Sequence, residues 1–239
     1  MRIDVLGVGF DNVTMEEAVA RGVELLHSDG AHYVVTPNPE IVEVCREDPA
    51  AAEAVNGADL VLPDGVGVVK GARMLGTPLK EKVPGIEFAA HFMERMAEEG
   101  KSLYLLGAKP DVAAQAAENL RRQYAGLRIA GVHDGYFHED APVVEEIAQS
   151  GADVVFVCLG APKQEKWMRK NGAATGARVL CGLGGSLDVF AGVVERAPKF
   201  WSDHGLEWFY RLCKEPRRIG RMMKLPLFLV HVKQERRKK

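Results

Sequence analysis

Asp64 closes the apolar run Ala58-Asp59-Leu60-Val61-Leu62-Pro63, and Thr36-Pro37-Asn38-Pro39-Glu40 closes an earlier run from His32 to Val35. A carboxylate, a hydroxyl and a carboxamide brought to one edge by neighbouring strands could take a proton from an attacking hydroxyl and orient its partner. Short apolar runs that stop in polar, Pro- and Gly-rich turns mark the carboxyl ends of strands in open α/β sheets. That edge is where such sheets build ligand sites. On this reading Asp64 is the general base. Pro63-Asp64-Gly65 is also what an ordinary turn looks like. Asn38 and Thr36 could likewise do no more than cap a helix entered at Pro39. Two such clusters, each at a strand end, shift the balance toward a site.

Other segments add candidate binding groups. Gly160-Ala161-Pro162-Lys163-Gln164-Glu165-Lys166-Trp167 follows an apolar run, so helix-start N–H groups and the Gln164 side chain would face the same edge. The alternative is a plain amphipathic helix start with Trp167 in the core. Gly182-Leu183-Gly184-Gly185-Ser186 could present backbone N–H groups to a phosphate or a sugar. None of the glycine clusters completes a GxGxxG turn with an acidic residue at the right distance, which argues against a dinucleotide site. No Asp-x-Asp, His/Cys ligand set, Walker loop or GxSxG elbow occurs, so no metal and no cofactor is expected.

The elements that must position these groups alternate. Arg2–Val8 reads as a strand, and Thr14-Met15-Glu16-Glu17 is a capping box opening a helix to about Ser28. Strands are expected at His32–Val35, Asp59–Leu62, Ser102–Leu106, Arg128–Val132, Val154–Cys158 and Val179–Cys181. Helices are expected between them, and Gly107 and Pro110 make a strand-to-helix turn. Two-residue hairpin turns are not seen, and the order is that of βαβ units in a largely parallel, Rossmann-like sheet.

The 239 residues carry a net charge of −2, unevenly spread. From Arg196 onward thirteen Lys/Arg face four Asp/Glu, a net of +9, which leaves residues 1–195 at −11. The chain is therefore read as an α/β catalytic domain, 1–195, and a basic, aromatic, helical appendage, 196–239. Arg211, Arg218 and Arg221 would share one face of a helix, and Trp201, Trp208, Phe209, Leu225, Leu227, Phe228 and Leu229 are interleaved with them. This element is expected either to pack as a basic helix on the body or to lie in a membrane interface while its arginines hold a diphosphate. A body at −11 would repel a polyanion, which disfavours nucleic acid. Scattered cysteines, two of them (Cys158 and Cys181) in apolar runs, suit a reducing compartment. No run approaches a membrane span.

Together, Thr36-Pro-Asn-Pro-Glu-Ile-Val, Leu62-Pro-Asp-Gly, Gly160-Ala-Pro-Lys-Gln-Glu-Lys-Trp, Gly184-Gly-Ser-Leu-Asp and the tail pattern from Arg196 to Arg218 resemble the WecG/TagA/CpsF glycosyltransferases. The tail looks most like the teichoic-acid N-acetylmannosaminyltransferase branch. The resemblance implies an inverting, metal-independent transfer of N-acetylmannosamine from its UDP donor to N-acetylglucosaminyl-diphospho-undecaprenol. Relatives that use N-acetylmannosaminuronic acid, glucose or glucuronic acid keep other donors open. By similarity Asp64 is the base, with Thr36 beside it and Asn38, Lys82, Gly107, Tyr136, Gly160, Gln164, Gly184, Gly185, Arg211, Arg218 and Arg221 binding substrate. Lys82 stands where the family commonly has Arg; it keeps the charge and loses the bidentate fork. The implied setting is cytoplasmic, on the inner face of the plasma membrane and bound through the appendage to its anionic surface, with oligomeric state open.

Overall fold

The computed structural model describes residues 1–195, Trp201, Tyr210 and 224–238. Arg211, Arg218 and Arg221 lie outside the described residues.

Six parallel strands form the central sheet in the order β4-β3-β8-β7-β5-β6. They are β3 (His32–Val35), β4 (Leu60–Val61), β5 (Ser102–Gly107), β6 (Arg128–His133), β7 (Val154–Cys158) and β8 (Val179–Gly182). β4, β5, β7 and β8 are nearly continuous runs of buried residues because both faces are covered, whereas β6 at the edge is half-buried or exposed along its length. With side chains alternating across the sheet, Val35, Val61, Tyr104, Leu106, Val155, Val157 and Leu180 join one core. Val34, Leu60, Leu103, Leu105, Val154, Phe156, Val179 and Cys181 join the other.

Each face has its own helices. The first core is covered by α2 (Pro39–Glu47), α3 (Pro49–Asn56), α4 (Val66–Met74), α7 (Asp140–Ser150) and α8 (Lys163–Asn171). The second is covered by α1 (Met15–His27), α5 (Gly85–Glu98), α6 (Val112–Gln123) and α9 (Ser186–Phe190). The capping box expected at Thr14 forms, with Glu17 N–H donating to the Thr14 hydroxyl and Thr14 N–H to the Glu17 carboxylate.

The single strand expected over Arg2–Val8 is instead an antiparallel hairpin, β1 (Arg2–Val5) and β2 (Val8–Asp11), so one two-residue hairpin turn does occur. Leu6 and Gly7 sit in its turn at φ 55° and 87°. A leucine carries no local signal for that conformation. The turn is held from outside, since Asn56 Nδ2 donates to the Gly7 carbonyl and Asn56 Oδ1 accepts from Gly9 N–H. Asp11 at the hairpin's end accepts from Val61 N–H at 2.9 Å, docking it against β4.

The C-terminal helix Lys224–Arg236 packs on α2 and α4. Phe228 and Val232 are fully buried in the first core. A Cβ on Gly71 of α4 would lie 2.7 Å from the Phe228 ring, so this glycine is what lets the aromatic seat. His231 Nδ1 meets the buried Glu43 carboxylate at 2.9 Å and Lys224 reaches Glu47. Phe228 is thus a core residue, and of the two readings open for the appendage, this helix follows packing on the body. Leu227 and Val230 are the exposed apolar residues of this helix.

Candidate active site

The two strand-end clusters converge at the carboxyl edge of the sheet. β3 and β4 are hydrogen-bonded neighbours, and the turns that follow them touch: Asp64 N–H donates to the Pro37 carbonyl. Thr36 is buried and its Oγ1 donates to the Gly182 carbonyl of β8 at 3.0 Å. It therefore ties two strand ends together rather than capping α2. Asn38 is the cap, with its Oδ1 accepting from Ile41 N–H at 3.0 Å and Pro39 in the first helical turn.

Asp64 is half-buried, and its Oδ2 accepts from the N–H of Gly85, the first residue of α5, at 3.3 Å. Glycine is needed at 85 because a Cβ there would stand 2.9 Å from both Oγ1 and Cγ2 of Thr36. The start of α5 is thereby pressed against both Thr36 and Asp64. Reading the sequence does not single out Gly85, since only this three-way approach distinguishes it from any glycine at a helix start. The Val83 N–H to Pro63 carbonyl bond, 2.9 Å, holds Lys82 beside the same turn.

Gln164 of α8 is 2 % exposed and both ends of its carboxamide are engaged. Oε1 accepts from Gly184 N–H at 3.0 Å, and Nε2 donates to Glu165 Oε1 at 2.9 Å. Burial pushes the Glu165 carboxyl above the usual carboxylate range. Burial, aided by the charges of Glu165 and Asp48, likewise raises the Cys45 thiol to about 12. Cys158 is buried and raised to about 12, as an inert core thiol should be. Trp167 is buried too.

A second group of candidates gathers at the ends of β5, β6 and β7. The connection after β5 leads outward to β6, whereas the one after β7 leads the other way to β8. That divergence makes the β5/β7 boundary a topological switch point, where open α/β sheets leave a crevice. Gly107 and Gly160 flank it. Gly107 sits at φ 129°, and a Cβ there would lie 2.3 Å from the Cys158 carbonyl oxygen. Gly160 adopts φ 78° and faces open space. Tyr136 is 65 % exposed on the loop after β6. Gly135 N–H of that loop bonds the Ala108 carbonyl, and Lys163 Nζ meets both the Gly135 carbonyl and the Phe137 ring.

Gly184 and Gly185 complete the edge between the two groups, in the turn from β8 into α9. Gly184 has φ 55° and no atom near its missing side chain. Among the described residues, no three His, Cys, Asp or Glu side chains converge as metal ligands. Among them also, no helix is long and apolar enough to cross a membrane.

Sheet order and edge define a Rossmann-like α/β protein with its polar groups drawn to the carboxyl edge of the sheet. The chain belongs to the glycosyl transferase WecG/TagA/CpsF family, whose model matches residues 3–239, and it is a glycosyltransferase. It is 38 % identical over 200 residues to an N-acetylglucosaminyldiphosphoundecaprenol N-acetyl-beta-D-mannosaminyltransferase of Bacillus spizizenii, covering 84 % of this chain and 78 % of that one. It is 35 % identical over 240 residues to the protein of the same name from Staphylococcus aureus (strain MRSA252), covering 99 % and 94 %.

Proposed function

We propose that this chain transfers N-acetylmannosamine from UDP-N-acetylmannosamine to N-acetylglucosaminyl-diphospho-undecaprenol, in the synthesis of the linkage unit of wall teichoic acid. The observation that carries this reading is the similarity to transferases of that name over 99 % of this chain. The strand-end cluster is consistent with it, because it offers a carboxylate at a ligand-binding edge.

Asp64 takes the proton from the acceptor hydroxyl as that oxygen attacks the anomeric carbon. An ordinary carboxylate is ionised at neutral pH and ready for this role. One base on the face opposite the leaving group gives inversion, whereas retention through a covalent sugar would require a nucleophile as well. The Gly85 N–H holds one carboxylate oxygen in place. Thr36, Asn38, Lys82 and Gln164 shape the acceptor side of the crevice. Gly160, Gly184 and Gly185 leave room along the edge for the UDP moiety, Gly107 lets β5 close against Cys158 beside them, and exposed Tyr136 offers a flat apolar face to its base. Charge growing on the departing diphosphate is met by cations, for which Arg211, Arg218 and Arg221 are the candidates. Residues 196–239 form the appendage that brings the active site to the anionic inner face of the plasma membrane, with the chain bound there peripherally.

The test is a donor screen with the full-length protein and a short-chain N-acetylglucosaminyl-diphospho-lipid, read by UDP release and product mass. UDP-N-acetylmannosamine should be turned over, with and without EDTA. Preference for a glucose or uronic-acid donor would replace the sugar in this reading, and loss on chelation restored by Mg²⁺ would overturn its metal independence.

A further inference from the structure

Glu165 has no part in the mechanism above, yet among the described residues it is one of the most buried carboxyl groups, at 1 % exposure. Its Oε1 accepts from Gln164, and its Oε2 meets no hydrogen-bond partner among the described residues. Across from it α2 presents Cys45, whose thiol feels its charge. Burying a carboxyl with half of its bonding capacity unused costs stability that an apolar side chain of the same size would not. Such a group needs a reason to be there.

The reason lies in the carboxamide next to it. An amide can be turned by 180° with little change of shape, which exchanges its acceptor for its donor. In the observed orientation Gln164 Oε1 holds the Gly184 N–H. In the flipped one, an NH₂ group would face that N–H, donor against donor. Glu165 is an acceptor beside Nε2 and favours only the first. The contacts run on from there. A Cβ on Gly182 would meet Gln164 Nε2 at 3.1 Å, so the carboxamide lies directly on this residue's backbone. The Gly182 carbonyl in turn receives the Thr36 hydroxyl.

We infer that Glu165 is a positioning residue for glycosyl transfer: it locks the Gln164 carboxamide in one orientation and thereby sets the Gly182–Ser186 turn and the Thr36 hydroxyl. The inference rests on the transferase reading for its catalytic consequence, and on the free protein alone for its structural one. It makes an unusual demand, that removing the carboxyl should harm catalysis without harming stability.

The experiment compares full-length wild type with Glu165→Leu, Glu165→Gln, Gln164→Ala and the Gln164→Ala/Glu165→Leu pair. Two readouts are taken: Tm with hydrogen–deuterium exchange of the substrate-free protein, and kcat and KM with UDP-N-acetylmannosamine. E165L should keep a Tm close to wild type, because losing the unpaired Oε2 offsets the Gln164 Nε2 donor that is left without its acceptor. Amide exchange across Gly182–Ser186 should accelerate by about tenfold, the effect of losing one buried hydrogen bond. Its kcat should fall roughly ten- to a hundredfold through misplacement, with donor KM little changed. E165Q keeps an acceptor for Gln164 and should recover most of both losses. The double variant should be no slower than Q164A, because Glu165 acts through Gln164.

Unchanged exchange and kcat in E165L would overturn the inference, as would E165Q failing as badly as E165L. A Tm falling in step with kcat would make the role merely structural and overturn it as well. If E165L does not fold, Glu165→Met takes its place, and failure of both to fold counts against the inference in the same way. Should wild type transfer no sugar, the transferase reading falls while the exchange measurement still decides whether Glu165 sets the turn.

Discussion

The two halves of the sheet's carboxyl edge are built differently. Where β3, β4 and β8 end, the polar groups are half-buried or buried and bonded to one another: Thr36 to Gly182, Gln164 to Gly184, Asp64 to Gly85. Where β5, β6 and β7 end, Gly107 is packed on Cys158, but Gly160 faces open space and Tyr136 stands out into solvent. Proton transfer tolerates little misplacement, so the groups that perform it need neighbours that lock them. A bulky ligand needs space and an accessible flat surface, which glycines and an exposed aromatic supply. On the proposed function, chemistry belongs to the first half and donor binding to the second.

Breaking the locked half should give the largest effect. Asp64→Asn keeps the shape and the Gly85 contact and removes the proposed base, so turnover should fall by about two orders of magnitude or more with Tm and donor KM nearly unchanged. Near-normal turnover in a folded Asp64→Asn protein would assign the proton to another group. On the open half, Gly107→Ala should act on the fold instead. A Cβ against the Cys158 carbonyl at a left-handed φ should cost about 2–3 kcal/mol, seen as a lower denaturant midpoint. A variant as stable as wild type would mean that β5 and β7 can separate at that point.

Tyr136→Ala sharpens the division further. An exposed ring adds little to stability, but loss of a stacking surface should raise donor KM by roughly three- to tenfold with kcat intact. A change in kcat without one in KM would move Tyr136 to the chemical half. The smallest effect concerns pH. Burial raises the Glu165 carboxyl in the folded state, so the native protein holds that proton above the pH at which the unfolded chain, near the ordinary value of about 4.3, releases it. Stability therefore declines as pH rises through this window. The Tm of Glu165→Gln should gain on wild type between acid and neutral pH, and a constant difference across that range would show no linkage.

Much of this was legible in the linear chain because it depends on local rules. The parallel strands end where apolar runs meet Pro and Gly, the Thr14 box caps α1, and Asn38 with Pro39 opens α2. What was not legible involved partners distant in sequence. The hairpin at Leu6-Gly7 depends on Asn56, about fifty residues on, and the burial of Phe228 depends on a glycine in α4. For Thr36 a helix cap stood as the alternative to a site; its hydroxyl goes instead to β8, 146 positions away.

The sequence by itself determined the alternating α/β order, the charge divide near Arg196 and the presence of Asp64 and Thr36 at strand ends, since hydrophobic period and turn chemistry act over a few residues. Only the tertiary structure decided the strand order β4-β3-β8-β7-β5-β6, and with it which of those ends became neighbours. Local patterns specify that a strand forms but carry no term for which strand lies beside it. That choice is made by packing helices over both faces at once, and it is the same choice that brings β8 beside β3, Gln164 over Gly182 and the start of α5 against Asp64.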